Sequence, residues 1–284
     1  MISQNFEYTV PKTLDEALGL LASGAKPLSG GMSLIPMMKL RLATPEHLVD
    51  LGKLKDLNCI REQGGAIHVG ATVTHFDVET SALLRGKCPL LAETAANIGD
   101  VQVRNMGTIG GSVAHADPSA DYPAALQALE AKFVLKGATS ERTVSAADFF
   151  VDTFTTSIEP GEIITEVIVP VEDSGVGASY QKNVQPASGF AIVGVAARVR
   201  RSGGKISMAR IGVTGLSNKS YRATAAEQAL EGKGGSAGEI QNAAALVAEG
   251  VDANSDLHAS ADYRRHLAIV YASRALVSAL ARTA

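Results

Sequence analysis

A chain of 284 residues, 46% hydrophobic and 19% charged, has room for two cores and the composition of a soluble globular protein. Its net charge of −3 argues against an electrostatic grip on nucleic acid, and no apolar run approaches the ~18 residues that a membrane span requires. Cys59 and Cys88 are too few to hold a zinc ribbon or an iron–sulfur cluster, and with no export-signal pattern in residues 1–7 they read as reduced thiols in cytoplasm.

Taken along the chain, Thr13-Leu14-Asp15-Glu16 reads as a capping box. It opens a helix with Leu14, Ala17, Leu18 and Leu21 on one face and Gly24 as its stop. A short extended stretch at 26–28 leads to a glycine pair, after which Ser33 is expected to cap a helix through Leu40. A strand is expected at 47–51, and a hairpin at 60–69 that turns at Gly64-Gly65. Helices follow at 74–80 and 89–98, the latter with Pro89 in its first turn. A second glycine loop comes next, then a helix from Asp117-Pro118 to Leu129 and strands at 133–136 and 163–169. The stretch 170–177 reads as a linker. Beyond it, 190–200 and 205–216 form a long hairpin through Ser202-Gly203-Gly204, and Arg198-Val199-Arg200-Arg201 reads as a strand end or solvated rim. Helices at 223–230, 240–248 and from 261 to the end close an α+β chain.

Two motifs carry the chemistry. Ser29-Gly30-Gly31-Met32-Ser33 and Gly107-Thr108-Ile109-Gly110-Gly111-Ser112 each hold a glycine pair, with Gly30 and Gly110 80 positions apart. Glycine pairs leave backbone N–H groups free to approach an anion, and a following helix start adds a positive dipole end. Two such loops closing on one site suit the diphosphate of a dinucleotide. Neither has the spacing G-x-G-x-x-G or G-x-x-x-x-G-K-[ST], so the route is a different one. The densest polar cluster, His115 to Asp121, offers Asp117 as a helix cap or, with His115, as an acid–base pair. Asp121, one helical turn further, offers a carboxylate for ribose or ribityl hydroxyls. Met32, Met37 and Met38 read as packing residues, and no nucleophile elbow or metal spacing is present. Residue chemistry alone gives a phosphate- or dinucleotide-binding protein.

At these same residues the chain resembles the flavin-binding subunits of molybdenum hydroxylases, the family that holds the carbon monoxide dehydrogenase medium subunit and the xanthine dehydrogenase FAD domain. The resemblance rests on Lys26-Pro27-Leu28-Ser29-Gly30-Gly31-Met32-Ser33-Leu34 and on Arg104 to Ser112 continuing through Asp121. Phe6-Glu7-Tyr8, 43–51, 221–227 and Tyr263-Arg264-Arg265 extend it over essentially the whole chain. It implies a two-subdomain FAD-binding domain of the vanillyl-alcohol-oxidase type over 1–172, with subdomains of about 1–57 and 58–172. A C-terminal α+β domain with a three-stranded antiparallel sheet is implied over 176–284. Carried over by position, Pro27, Leu28, Ser29, Gly30, Gly31, Met32, Ser33 and Leu34 with Thr108, Ile109, Gly110, Gly111 and Ser112 should wrap the diphosphate. Asp121 should bind hydroxyls, Ile98 and Ile164 should line the flavin or adenine pocket, and Lys182 should be a cationic contact, although 184–191 lacks the arginines of several relatives. No catalytic acid, base or metal ligand is implied in this chain. The implied partners are an iron–sulfur small subunit with two two-iron clusters and a molybdopterin large subunit, in a dimer of heterotrimers. Electrons would pass from the clusters through FAD to an external acceptor. The rival readings are a stand-alone FAD oxidoreductase of the same fold and a non-redox nucleotide-binding module.

Overall fold

A computed structural model describes residues 3–283; Met1 and Ile2, part of the N-terminal segment read above, and Ala284 lie outside the described residues. The chain builds three sheet-centred layers in sequence order.

The first is a parallel sheet of β1 (Glu7–Thr9), β3 (His47–Asp50) and β2 (Lys26–Leu28), with β3 in the middle. Helix α1 (Leu14–Ala22) joins β1 to β2, and α2 (Leu34–Lys39) follows the first glycine loop. The apolar face of α1 packs Ala17, Leu18 and Leu21 against Val49, Leu51, Leu54, Leu57 and Ile163. Only half of the expected capping box forms. The Thr13 hydroxyl accepts from Glu16 N–H at 3.2 Å, but the Glu16 carboxylate accepts from Lys12 N–H at 2.7 Å. Gly24 ends the helix with φ +95°, a conformation open to glycine.

The second layer is an antiparallel sheet ordered β4 (Ile60–Gln63), β5 (Ala66–Gly70), β10 (Ile163–Pro170), β6 (Lys132–Lys136) and β7 (Glu141–Ser145). Between β5 and β6 run α3 (His75–Thr80), α4 (Ala82–Lys87), α5 (Pro89–Ala96), α6 (Val101–Met106), α7 (Ile109–His115) and α8 (Tyr122–Ala128). Between β7 and β10 lie α9 (Ala146–Phe149) and the small ribbon β8 (Phe150–Asp152)–β9 (Thr155–Thr156). Tyr122, Phe133 and Phe149 are wholly buried, and Phe133 and Phe149 stack with centroids 4.3 Å apart. Neither α4 nor α6 was expected. The helix expected from Asp117-Pro118 starts instead at Tyr122, because the Asp117 carboxylate turns back to accept from Ser119 N–H at 2.8 Å and closes a tight turn. Asp117 and Asp121 therefore do not share a helical face.

The third layer is an antiparallel sheet ordered β11 (Val176–Val184), β12 (Ala191–Ser202), β13 (Lys205–Thr214) and β14 (Tyr221–Arg222). It has four strands rather than three, because the chain after Leu216 returns to lay two residues beside β13. The β12–β13 turn is Gly203-Gly204, both with positive φ, as a two-residue hairpin requires. One face carries Val193, Val195, Ala197 and Val199 against α10 (Thr224–Leu230), α11 (Ala237–Ala245) and α12 (Ala261–Ala281). The helix α11 starts earlier than expected, on a full capping box between Ser236 and Glu239. The opposite face, with Ala178, Tyr180 and Ala196, belongs to the core of the second layer. Contact there is at backbone range: a Cβ on Gly212 would lie 1.9 Å from Ala124 O in α8.

The segment joining the second and third layers is pinned. Arg198 donates to both oxygens of Glu172 at 2.6 and 2.9 Å, with the two side chains 8% and 7% exposed. Arg198 is thus a buried tether and not a solvated rim. Of its neighbours, Arg200 pairs with Asp173 and Arg201 donates to Gly234 O. The two cysteines are free; burial pushes the Cys88 thiol up to about 12, which makes it inert. Among the described residues no helix is long and apolar enough to cross a membrane.

Candidate functional site

The first glycine loop is delivered by β2 and ends where α2 starts. Gly31 takes φ +74°, and a Cβ on Gly30 would fall 2.0 Å from Met106 O. Glycine is therefore required at both places, once by conformation and once by proximity. Ser33 sits at the helix start without making a side-chain cap. The backbone N–H groups of Gly30, Gly31, Met32 and Ser33 find no acceptor among the described residues. Four consecutive free donors on one short loop are a feature that can receive an anion. The surrounding charge agrees, since residues 26–41 contain Lys26, Lys39 and Arg41 and no carboxylate.

The second glycine motif lies directly alongside. Ser29 Oγ and Thr108 Oγ1 are 2.9 Å apart across the two segments, so the turns converge on one place as expected. Their contributions differ. Gly110 and Gly111 form the first turn of α7 and not an open loop. Ile109 N–H donates to Val73 O at 3.0 Å, Gly110 N–H to Ala71 O at 2.9 Å, and Gly111 N–H to Thr108 Oγ1 at 3.2 Å. Those amides, expected to wrap a diphosphate, are already bonded to protein. Gly110 is there for packing: a Cβ would lie 2.5 Å from Ala71 Cβ and 2.6 Å from Ala71 O. What the second motif offers the first is Thr108, whose N–H has no acceptor among the described residues, and the start of α7. Residues 101–116, like the first loop, contain no carboxylate.

The unforeseen α6 holds these pieces in register. Asp100 Oδ1 caps it by accepting from Val103 N–H at 2.8 Å, and Arg104 reaches Glu79 Oε2 at 2.8 Å and Ile98 O at 3.1 Å. Arg104 thereby fixes the half-buried Ile98 at the end of α5. The buried Ile164 lies on β10 beside a bulge, where Thr165 O accepts from Ala71 N–H at 3.0 Å; Ala71 is also the residue that receives Gly110. Met38 is buried, whereas Met32 is 40% exposed at the loop and does not pack as expected. His115 packs its ring against Phe154 with centroids 4.9 Å apart, and Asp117 accepts from Ser119 N–H; no hydrogen bond joins the two side chains among the described residues, while burial lowers the His115 imidazole from its ordinary value and the Asp117 charge opposes that.

Asp121 and Lys182 meet in an ion pair of 2.9 Å, with side chains 4% and 6% exposed. Tyr180 Oη donates to Asp121 Oδ1 at 2.6 Å. Burial raises the Asp121 carboxyl from its ordinary value, and Lys182 and Tyr180 oppose that rise. Lys182 also donates to Asn97 O and Gly189 O, each at 2.7 Å. An ammonium has three protons, and these partners take all three, so the expected direct cationic contact with a cofactor has no donor left to make it.

His75 lies under the second motif. Its backbone N–H donates to Gly107 O at 2.9 Å, its Nδ1 is 3.3 Å from Tyr122 Oη, and burial with Arg104 nearby lowers its imidazole from 6.5 to about 4. Below pH 6.5 the unfolded chain gains a proton here that the folded chain refuses. Stability should therefore fall as the pH drops from about 6.5 to about 4, by about 3 kcal/mol from this group. Urea midpoints at pH 7 and 4.5 check this: wild type should lose more stability than His75→Gln, and equal losses would contradict the assignment.

The residues suit an FAD diphosphate: a row of unpaired amides, a hydroxyl pair, local positive charge and adjoining apolar side chains. Comparison with known proteins gives the family of the chain. A family model described as "FAD binding domain in molybdopterin dehydrogenase" matches residues 4–172, and one described as "CO dehydrogenase flavoprotein C-terminal domain" matches 178–279. The carbon monoxide dehydrogenase medium chain of Hydrogenophaga pseudoflava is 41% identical, with all of both chains aligned. A solved carbon monoxide dehydrogenase from that organism, one lacking the Mo-pyranopterin moiety of its cofactor, superposes over the whole of both chains with a TM-score of 0.97 and 43% identity. Quinoline 2-oxidoreductase from Pseudomonas putida 86 superposes with a TM-score of 0.94 and 33% identity over 99% of each chain. The chain belongs to the family of FAD-binding flavoprotein subunits of molybdenum hydroxylases related to carbon monoxide dehydrogenase.

Proposed function

We propose that this chain carries electrons from the iron–sulfur clusters of a small partner subunit through FAD to an external acceptor, while a molybdopterin large subunit oxidises the substrate. The observation that carries this reading is the row of unpaired amides at 30–33 set beside Thr108. In this reading the loop amides and Thr108 hold the diphosphate, and Pro27, Leu28 and Leu34 shape the loop. Ile109, Gly110, Gly111 and Ser112 support it by packing, Ile98 and Ile164 border the ring systems, and Asp121 accepts from cofactor hydroxyls. FAD, once bound, supplies the one- and two-electron chemistry; the protein's part is to bind it, orient it and exclude water around it. We assign the vanillyl-alcohol-oxidase type of FAD fold to 1–172, divided near residue 57, and a separate α+β domain to 176–284. The two free cysteines fit a cytoplasmic location, and the assembly we infer is a dimer of heterotrimers.

The test is to purify the tagged chain from its source and analyse what accompanies it. Two further chains, molybdenum, iron and one FAD per copy are expected, with substrate turnover only in the assembly. An isolated chain with FAD that turns over a small substrate by itself would favour a stand-alone oxidoreductase. A chain that stays colourless with added FAD would overturn the flavin reading.

A further inference from the structure

We propose that His75 is a positioning residue for the flavin site: as a neutral imidazole it seats Gly107-Thr108 against the first glycine loop, and on taking up a proton it lets that contact go. This rests on the flavin-site reading above, in which His75 has no part. The stretch 73–75 lies beside the second motif as a short antiparallel pair. Thr74 and Thr108 face each other in a bridge, Ile109 N–H donates to Val73 O at 3.0 Å, and His75 N–H donates to Gly107 O at 2.9 Å. The imidazole packs onto the same glycine. A Cβ on Gly107 would lie 2.6 Å from His75 Nε2 and 2.8 Å from its Cδ2, so only glycine admits the ring there. The next residue is Thr108, whose hydroxyl meets Ser29 Oγ at 2.9 Å and closes the second motif on the first. A histidine 4% exposed therefore sets the place of that hydroxyl through Gly107.

The groups around the ring leave nothing to balance an imidazolium. Tyr122 of α8 meets it edge to face with centroids 5.3 Å apart, and Tyr122 Oη is the one hydrogen-bond partner of its nitrogens among the described residues, at 3.3 Å from Nδ1. From α6 comes the guanidinium of Arg104, whose charge opposes a second one. Glu79, on the same helix as His75, is bound to Arg104 at 2.8 Å, and Arg85 of α4 donates to Glu79 O at 2.7 Å. Asp77 accepts from Thr74 Oγ1 at 2.6 Å, and Asp121, next to Tyr122, is paired with Lys182. Glu93, the ionisable residue of α5, accepts from Ser179 and Tyr180 of β11. Burial and Arg104 thus lower the imidazole to about 4, against 6.5 for a ring in water. An arrangement with the ring turned out to solvent gains on the seated one by up to about tenfold for each pH unit between 6.5 and about 4, as the pH falls. Turning out removes the support of Gly107 and, with it, the seat of Thr108.

The test uses the assembly purified from its source with wild-type chain, His75→Gln or His75→Ala. The FAD dissociation constant is read from pH 7.5 to pH 5 by the fluorescence of released flavin, with far-ultraviolet circular dichroism at each pH. Wild type should hold FAD about tenfold or more weakly at pH 5 than at pH 7.5, with its dichroism unchanged, whereas His75→Gln should change less than about threefold. His75→Ala should bind about tenfold or more weakly at pH 7.5 already, because nothing seats Gly107. A histidine with a structural role alone would move the melting temperature and leave the pH profile of the affinity untouched. A wild-type constant that stays flat over this range would overturn the proposal. So would a parallel fall in wild type and His75→Gln, which traces the acid effect to another group, or a loss of FAD that comes only with a loss of dichroism. Wild-type affinity in His75→Ala at pH 7.5 would overturn the seating role. Should His75→Ala fail to fold, the profiles of wild type and His75→Gln decide by themselves. Wild-type assembly that holds no FAD at pH 7.5 would instead overturn the flavin-site reading beneath it.

Discussion

Gly30→Val should fold and yet purify without flavin. A Cβ at this position would meet Met106 O at 2.0 Å, Met106 C at 2.7 Å and Gly107 Cα at 2.8 Å. All three are backbone atoms, so no side chain can rotate away to make room. The first loop and the 106–108 segment must separate, which breaks the Ser29–Thr108 hydrogen bond and moves the row of amides off its target. Overpacking of this sort costs ~1–3 kcal/mol of stability in general, which the fold can absorb. Cofactor affinity should drop by about 100-fold or more, since several charge-assisted bonds of ~1.5–3 kcal/mol each depend on the position of the loop. Flavin absorbance per protein, together with a circular-dichroism melt, reads both effects. Gly19→Ala in α1 is the control: nothing lies within 4 Å of the added methyl, and stability should hold or rise by up to ~1 kcal/mol. Full flavin occupancy in Gly30→Val would show that the close approach of the two segments is dispensable.

Arg198→Met should give the largest loss of stability. It leaves the Glu172 carboxylate, 7% exposed, without its bidentate partner. Removing one member of a buried pair costs ~3–5 kcal/mol, which for a protein of this size lowers the melting temperature by roughly 6–15 °C. Adding Glu172→Gln should recover most of the loss, because the stranded charge is gone. Because the pair ties the segment after β10 to β12, the loss should come chiefly from the docking of the C-terminal sheet onto α8. A melting temperature within about 2 °C of wild type would contradict the view of this contact as a tether.

Regular structure with a strong local signal could be read from the residues. Gly203-Gly204 between two β-rich runs specifies a hairpin, and the spacing of Ala17, Leu18 and Leu21 specifies a helix face, because both patterns are set by neighbours in sequence. The site was harder to read. Gly110-Gly111 looks like an open turn, but the amides of Ile109 and Gly110 bond to Val73 and Ala71 almost 40 positions earlier, and no local pattern encodes that. The same holds for Lys182, expected as a cationic contact with the cofactor, whose ammonium is instead taken up by Asn97, Asp121 and Gly189. Arg198 looked like a solvated charge because its partner, Glu172, lies in a segment that reads as linker. Two omissions did have a sequence signal. Asp100 three residues before Val103 marks the start of α6, and Ser236 three before Glu239 is a capping box. The fourth strand, at Tyr221–Arg222, is too short to produce any periodicity.

Amide hydrogen exchange with and without FAD tests the placement of the cofactor most directly, because the two glycine motifs differ in what their amides already do. Bound flavin should slow exchange strongly at Gly30, Gly31, Met32 and Ser33, which have no acceptor among the described residues, and change it little at Ile109 and Gly110, which already donate to Val73 and Ala71. Protection confined to the second motif, with 30–33 still exchanging freely while FAD is bound, would place the diphosphate elsewhere and contradict the site described here.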